Sequence, residues 1–260
     1  MREPTRPEFD DEPGGADDRA GGQAFLSAFG EALRPLADPL AIQSKASELL
    51  GKFLGVNRAT YTELKYGEAI VGPSYLMDAE PLPSRFAYRA FSQALRASMG
   101  RGDSVVVGDV VTDARLTAAE RGPLAAAGIA AFVGVVLIKD SRGVASFGVD
   151  SATARQWTAA EVELVREVAE RTWSAVERAR AESALHASED EYRLLFNSLD
   201  QGFCTIEAIF DDRQRPIDYR FLTSNEAFVR QTGWTDAVGR SARELAAENE
   251  SYWFSCVCPL

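Results

Sequence analysis

Two apolar, β-branched runs, Ala131–Lys139 and Gly143–Val149, stand either side of the turn Asp140–Ser141–Arg142–Gly143, and this arrangement constrains the chain most. Runs of that length and composition, split by turn residues, predict adjacent antiparallel strands. A stretch from Thr158 to about Leu199 follows without a single Gly or Pro. Thr158 with Glu161 three residues later is a helix-opening pattern, so one long helix is expected there. A hairpin running into a long helix, rather than strand and helix in alternation, argues for an α+β fold.

The remaining segments fit that class. Ala24–Gly55 reads as two amphipathic helices split around Pro35–Pro39, with Ile42, Ala46, Leu49, Leu50 and Phe53 at helical spacing in the second. Val56–Lys65 and Glu68–Met77 predict a hairpin through Tyr66–Gly67, with Pro73 placing the second strand at an edge or ending it early. Ser84–Met99 has helical spacing, Ser104–Val111 predicts a strand, and Thr117–Ala127 a short helix capped by Thr117 and Glu120. Residues 1–23 carry seven acidic side chains, three Arg, three Pro and four Gly, which predicts a disordered leader.

Composition then narrows the function. A net charge of -11 argues against nucleic acid and against an anionic membrane surface as partners. No apolar run approaches the ~20 residues of a membrane span, and the first residues lack a signal peptide's apolar core. Three Cys, all beyond residue 200, make no disulfide framework, so the expected compartment is cytoplasmic. The only histidine, His186, excludes Ser-His-Asp and Cys-His catalysis, and no His-ligated haem or ordinary zinc site is expected. Cys256 and Cys258 are read as incidental thiols.

Five pieces in order resemble a bacterial GAF domain over residues 24–180. They are Asn57–Tyr61 (NRATY), Gly108–Leu116 (GDVVTDARL), Phe132–Asp140 (FVGVVLIKD), Phe147–Asp150 (FGVD) and the helix Trp157–Arg171. Farther on, Glu189–Phe203, a hairpin through Asp211–Pro216, the strand Ile217–Asn225, the short helix Asn225–Gly233 and Val238–Leu245 resemble the first half of a PAS domain. The implied fold is therefore α+β: a GAF-like antiparallel sheet flanked by helices, a long connecting helix, then an incomplete PAS-like half-domain. Its expected parts are a leader at 1–23, a GAF-like domain at 24–157, an exit helix at 158–199, a partial PAS-like domain at 200–253 and a tail at 254–260 that resembles neither family, as after a truncation or frameshift.

The resemblance implies a cytoplasmic sensory module of the kind found upstream of histidine kinases, without catalysis of its own. The alternatives are an amino-terminal fragment of such a kinase and a ligand-free dimerisation scaffold. For a small ligand, the family cavity would draw on Tyr61, Tyr75, Phe86, Tyr88 and Phe91, with Asp109 at a strand end. Covalent bilin attachment within the GAF-like part is excluded, because residues 1–203 hold no Cys. A homodimer is expected through an exposed stripe of Val162, Val165, Val168, Trp173 and Val176 on the exit helix. In the PAS-like part, Phe221, Leu222 and Phe228 are expected to lack cover for want of further strands.

Overall fold

The computed structural model describes residues 15–87, 97, 98 and 100–245. The chain divides into two compact units between Ser183 and Ala184.

The first unit is built on one six-stranded sheet. In chain order its elements are α1 (Gly15–Leu33), α2 (Pro39–Leu54), β1 (Arg58–Lys65), β2 (Glu68–Leu76), β3 (Arg85–Ala87), β4 (Val105–Val107), α3 (Ala118–Ala126), β5 (Ala131–Lys139), β6 (Arg142–Ser151) and, up to Ser183, α4 (Ala159–Ser198). The sheet order is β3-β2-β1-β6-β5-β4, and every neighbouring pair is antiparallel. The central β5–β6 hairpin turns through two residues, Asp140 and Ser141, both at positive φ. That geometry matches the right-handed twist of the strands it joins.

Alternation along the strands sends two different sets of side chains to the two faces. On one face Ala59, Tyr61, Val133, Val135, Ala145, Phe147 and Val149 share one buried cluster with α1, α2 and α4. Helix α2 begins and ends where the sequence expects, and α4 begins where it expects. Asp38 caps α2 through Leu40 and Ala41, Gly55 closes it at φ 59°, and Thr158 with Glu161 forms a reciprocal cap on α4.

Close approach of α2 to the sheet explains Gly51. A Cβ there would stand 2.1 Å from Cδ1 of Tyr75 on β2, so this glycine is required by packing and does not merely weaken the helix. Gly51→Ala should lower the melting temperature even though alanine gains up to ~1 kcal/mol in helix propensity. A thermal melt showing equal or higher stability would contradict that packing.

Several expectations need correction. Gly15–Gln23 is helical and not part of a disordered leader, because it continues the turns that Leu26, Phe29 and Leu33 anchor in the core. Arg85–Ala87 is a strand where a helix was expected, since its backbone pairs with the first residues of β2. Residues 88–96 of that expected helix, including Tyr88 and Phe91, lie outside the described residues, and Ala97 and Ser98 beyond them are helical. The strand expected over Ser104–Val111 stops at Val107, because the Gly108 carbonyl accepts from the Arg155 amide and leaves the ladder. Pro73 neither ends β2 nor costs a ladder bond. It sits beside a register shift opposite Thr60 and Thr62, past the last residue that β3 pairs.

The dimer stripe is corrected as well. Val165, Val168 and Val176 are fully buried in the chain's own core, and Val162 and Trp173 pack against the same cluster. The spacing that suggested a seam between two copies is the spacing with which α4 covers the sheet.

The second unit holds β7 (Cys204–Phe210) and β8 (Pro216–Ser224) as an antiparallel pair, then α5 (Glu226–Thr232) and α6 (Ala242–Leu245). Asn225 caps α5 by accepting from the Phe228 amide, and its side-chain amide also donates to the carbonyls of Phe196 and Gln201. Phe221 and Phe228 are buried with Ala237 and Ala242, and Trp234 stacks edge-on to both rings. The expectation that both phenylalanines lack cover is therefore overturned, while Leu222 is exposed as expected.

Candidate functional site

The sheet face turned away from α1, α2 and α4 is where the structure leaves room. Thr60, Thr62 and Leu64 of β1 alternate onto it, as do Phe132, Gly134 and Val136 of β5 and Ser146, Gly148 and Asp150 of β6. Register sets these residues in rows across the floor. Thr60, Gly148 and Gly134 form one row, Thr62, Ser146 and Val136 the next, and Arg58, Asp150 and Phe132 a third. The segment Glu80–Pro83 with Phe86 forms one wall, and α3 with Leu116 and Ile129 forms another. They enclose a cavity of about 590 Å³, within the size range of small-molecule sites.

The two glycines explain why the space stays open. Gly134 and Gly148 face each other across the central hairpin, and neither has a positive φ. A Cβ on Gly134 would meet nothing within 4 Å, and one on Gly148 only the Val133 carbonyl oxygen at 4.0 Å. No backbone geometry or close packing therefore demands glycine here. Each glycine in a strand interior costs roughly 0.5–1 kcal/mol relative to alanine.

Polar groups enter the cavity at defined points. The Thr60 hydroxyl donates to Ser74 Oγ at 2.8 Å, outside the floor rows. Arg58, only 1% exposed, donates through Nη2 to the carbonyl of Ala127 at the end of α3 (2.9 Å) and through Nη1 to Asp150 Oδ2 (3.4 Å). One buried cation thus ties the helix terminus over the cavity to the sheet beneath it. The other carboxylate oxygen, Asp150 Oδ1, is buried without a hydrogen-bond partner, as is Arg58 Nε. Burial pushes the Asp150 carboxyl up to about 6, outweighing the attraction of Arg58.

The aromatic residues expected to line the site are divided by strand parity. Phe86 lines the cavity. Tyr61 faces the opposite side, 1% exposed and edge-on to Phe147, and burial raises its phenol well above the ordinary value. Tyr75 packs on α2 beside Gly51. Asp109 is engaged by its own turn, where it accepts from the Val111 amide and the Thr112 hydroxyl, and it does not line the cavity. Sequence reasoning overlooked Thr60, Thr62, Ser146, Asp150 and the glycine pair. The alternation F-V-G-V-V and F-G-V-D in the two strongest strands was the available signal, since glycine inside a strand marks a place where a side chain is unwanted.

A second polar network lies on the helix-covered face. Glu63 accepts from Gln43 of α2 at 3.1 Å and from Arg180 of α4, and it pairs with Lys65 at 2.5 Å. Burial works against its charge, but the Lys65 and Arg180 hydrogen bonds hold this carboxyl below its ordinary range. This network joins α4 to the sheet, as does Trp157, which donates from Nε1 to the Val107 carbonyl at 3.1 Å.

The sequence model of the GAF domain family matches residues 38–176, just over half of the chain and all of the sheet. The chain belongs to the GAF family. Among solved structures, the GAF unit resembles a far-red absorbing dark state with bound biliverdin, at 15% identity and TM-score 0.54, over 60% of this chain and 99% of that one. It also resembles the phycocyanobilin-bound GAF domain of a cyanobacterial phytochrome, at 14% identity and TM-score 0.55, over 62% and 96%. A free methionine-R-sulfoxide reductase from Neisseria meningitidis, in complex with its substrate, matches at 19% identity and TM-score 0.48, over 64% and 95%. At identities this low, the two bilin-bound structures show a shared fold. No curated protein sequence matches. Among the described residues, no helix is long and apolar enough to cross a membrane.

Proposed function

We propose that the GAF domain is a sensory module that takes a small, largely apolar ligand into the cavity above the sheet and passes its bound state to α4. The open space over Gly134 and Gly148 carries this reading. Empty apolar volume forfeits packing energy, and two glycines in a central hairpin forfeit more. Filling that volume with a ligand recovers the loss. The ligand is held without a covalent bond to sulfur, since no cysteine lines the cavity among the described residues. The likeness to bilin-bound folds supports ligand binding as a class of activity and does not identify the ligand.

Transmission follows from a single shared layer. The strands that floor the cavity present their alternate residues to α4, so a ligand that favours one sheet curvature biases the helix by its differential affinity. The reading includes cytoplasmic signalling and no catalysis in this chain. Its one histidine stands largely exposed on α4 beside Glu189, distant in sequence from every cavity residue. Partnership with a histidine kinase is the proposed context. The second unit is proposed as part of a PAS-type domain, supported by its β7–β8 hairpin, the Asn225-capped helix and the Phe221–Phe228–Trp234 cluster.

A homodimer remains the proposed assembly, with its seam moved along α4. Leu185, Tyr192, Leu195 and Leu199 follow the spacing of a coiled-coil stripe and are 46–63% exposed. Leu195→Glu should shift sedimentation toward monomer and leave the melting of the GAF domain unchanged. A wild type that sediments as a monomer at tens of micromolar would refute the seam.

The ligand reading is tested by comparing Gly134→Val with wild type in a thermal-shift screen against one collection of small apolar molecules. Valine suits a strand and enters open space, so the variant should be equally or more stable yet lose the stabilising compounds. If no compound stabilises the wild type, or if the same compounds stabilise both proteins equally, the cavity is not a ligand site.

A further inference from the structure

Among the described residues, the cavity's charged wall residues all have one sign. Asp150 stands on the floor, Glu120 on α3 and Glu80 at the rim, and no described Lys, Arg or His lines the cavity. Glu120 is committed to its helix cap, its Oε2 accepting from the Thr117 amide at 2.9 Å and the Thr117 hydroxyl at 2.7 Å. Asp150 differs. The residue is 7% exposed, one carboxylate oxygen is turned to Arg58, and the other has no partner. A buried acceptor left unmade costs free energy that a matching donor would recover.

We infer that Asp150 is the polar recognition point of the cavity, and that it selects apolar ligands bearing an N–H donor, cationic ones above neutral ones, while rejecting those whose polar end is a carboxylate or phosphate. This inference rests on the cavity reading above and adds the chemical class of the ligand. Two features carry it. When Asp150 is ionised, the unpartnered Oδ1 can only accept, so it pairs with a donor and repels a second anion. An incoming anion would also enter an apolar enclosure whose described walls offer it no cation, and losing its hydration there would go uncompensated. Arg58 does not supply that cation, because it is buried without lining the cavity, and its Nη1 and Nη2 are turned to Asp150 and to the end of α3. Thr62 and Ser146, two rows away, offer hydroxyls that serve a donor or an acceptor alike and so leave the choice to Asp150.

Three probes on one apolar frame isolate this choice: naphthalene-2-carboxamidine, naphthalene-2-carboxamide and naphthalene-2-carboxylate. They would be titrated calorimetrically into the full chain at pH 8, where Asp150 is ionised. The expected order of affinity is amidine, then amide, then carboxylate, with at least about a tenfold span, the scale of one hydrogen bond to a charged group. Asp150→Asn should shrink that span toward equality, and Gly134→Val should weaken all three probes together. The wild-type order needs no variant, so the inference stays testable even if Asp150→Asn fails to fold. Equal binding of the three probes, or tighter binding of the carboxylate, overturns the inference and leaves the cavity reading intact. Binding of none of them overturns both. An amidine preference that persists in Gly134→Val belongs to the acidic surface and also overturns the inference.

Discussion

Val176→Glu is expected to unfold the GAF domain, not to separate two copies of it. Val176 is 0% exposed and lies in the cluster that joins α4 to the sheet, α1 and α2. The nearby Arg180 is turned to Glu177 and to the buried Glu63. A glutamate at 176 would bring a carboxylate among aliphatic side chains with no partner arranged for it. The loss should be about 4 kcal/mol or more, within reach of the whole stability of a domain this size. Val176→Ala should cost only about 1–2 kcal/mol, the scale of a small core truncation. Chemical denaturation followed by circular dichroism distinguishes the two variants. If Val176→Glu keeps the wild-type melting temperature and only changes its sedimentation, the residue faces a second copy and the packing described here is wrong.

Arg58→Met should be the next most damaging substitution, and its effect should depend on pH. Methionine fills much of the same volume but leaves Asp150 buried without its cation and the Ala127 carbonyl without its donor. Breaking a buried pair from one side costs about 3–5 kcal/mol when the remaining charge stays ionised. Asp150 escapes by taking up a proton. In the wild type its folded pKa is already raised from 3.8 to about 6 by burial. A raised carboxyl binds its proton more tightly in the folded state. Its stabilising contribution is therefore complete below about pH 4 and is lost as pH rises through about 6, a change of roughly 3 kcal/mol. Without Arg58 the folded pKa rises further, so Arg58→Met should be mild at pH 4 and severe at pH 8. Adding Asp150→Leu should recover much of the loss at pH 8, since an apolar pair avoids the desolvation of both ions. Urea denaturation at both pH values measures this. A penalty of equal size at pH 4 and pH 8 would show that Asp150 does not titrate as described.

Much of the architecture was legible locally. The β5–β6 hairpin, the caps at Thr158 and Thr117, the Asn225–Gly233 helix with its cap and its Gly233 terminus at φ 76°, and the two helices flanking Pro35–Pro39 all rest on signals within a few residues. Local rules failed where a distant partner decided. Arg85–Ala87 is a strand because β2 offers it an edge, and Val107 ends β4 because Arg155 takes the next carbonyl. The cavity shows the same division. Aromatic residues were the natural candidates from composition, yet Tyr61 packs under the sheet while its neighbours Thr60 and Thr62 face the open side.

The order of elements, the family and the inventory of chemistry were thus determined by the sequence alone. Periodicity, caps and turn residues act over a handful of positions, and a count of His and Cys needs no coordinates. Which face of each strand meets a helix and which meets open space was decided only in the tertiary structure. A strand's alternation defines two faces without saying which one the helices will cover. The same limit applies to α4, whose valine spacing suits a partner helix and a sheet equally. Only the packed chain shows that the sheet takes the valines and that Leu185, Tyr192, Leu194 and Leu195 stay exposed.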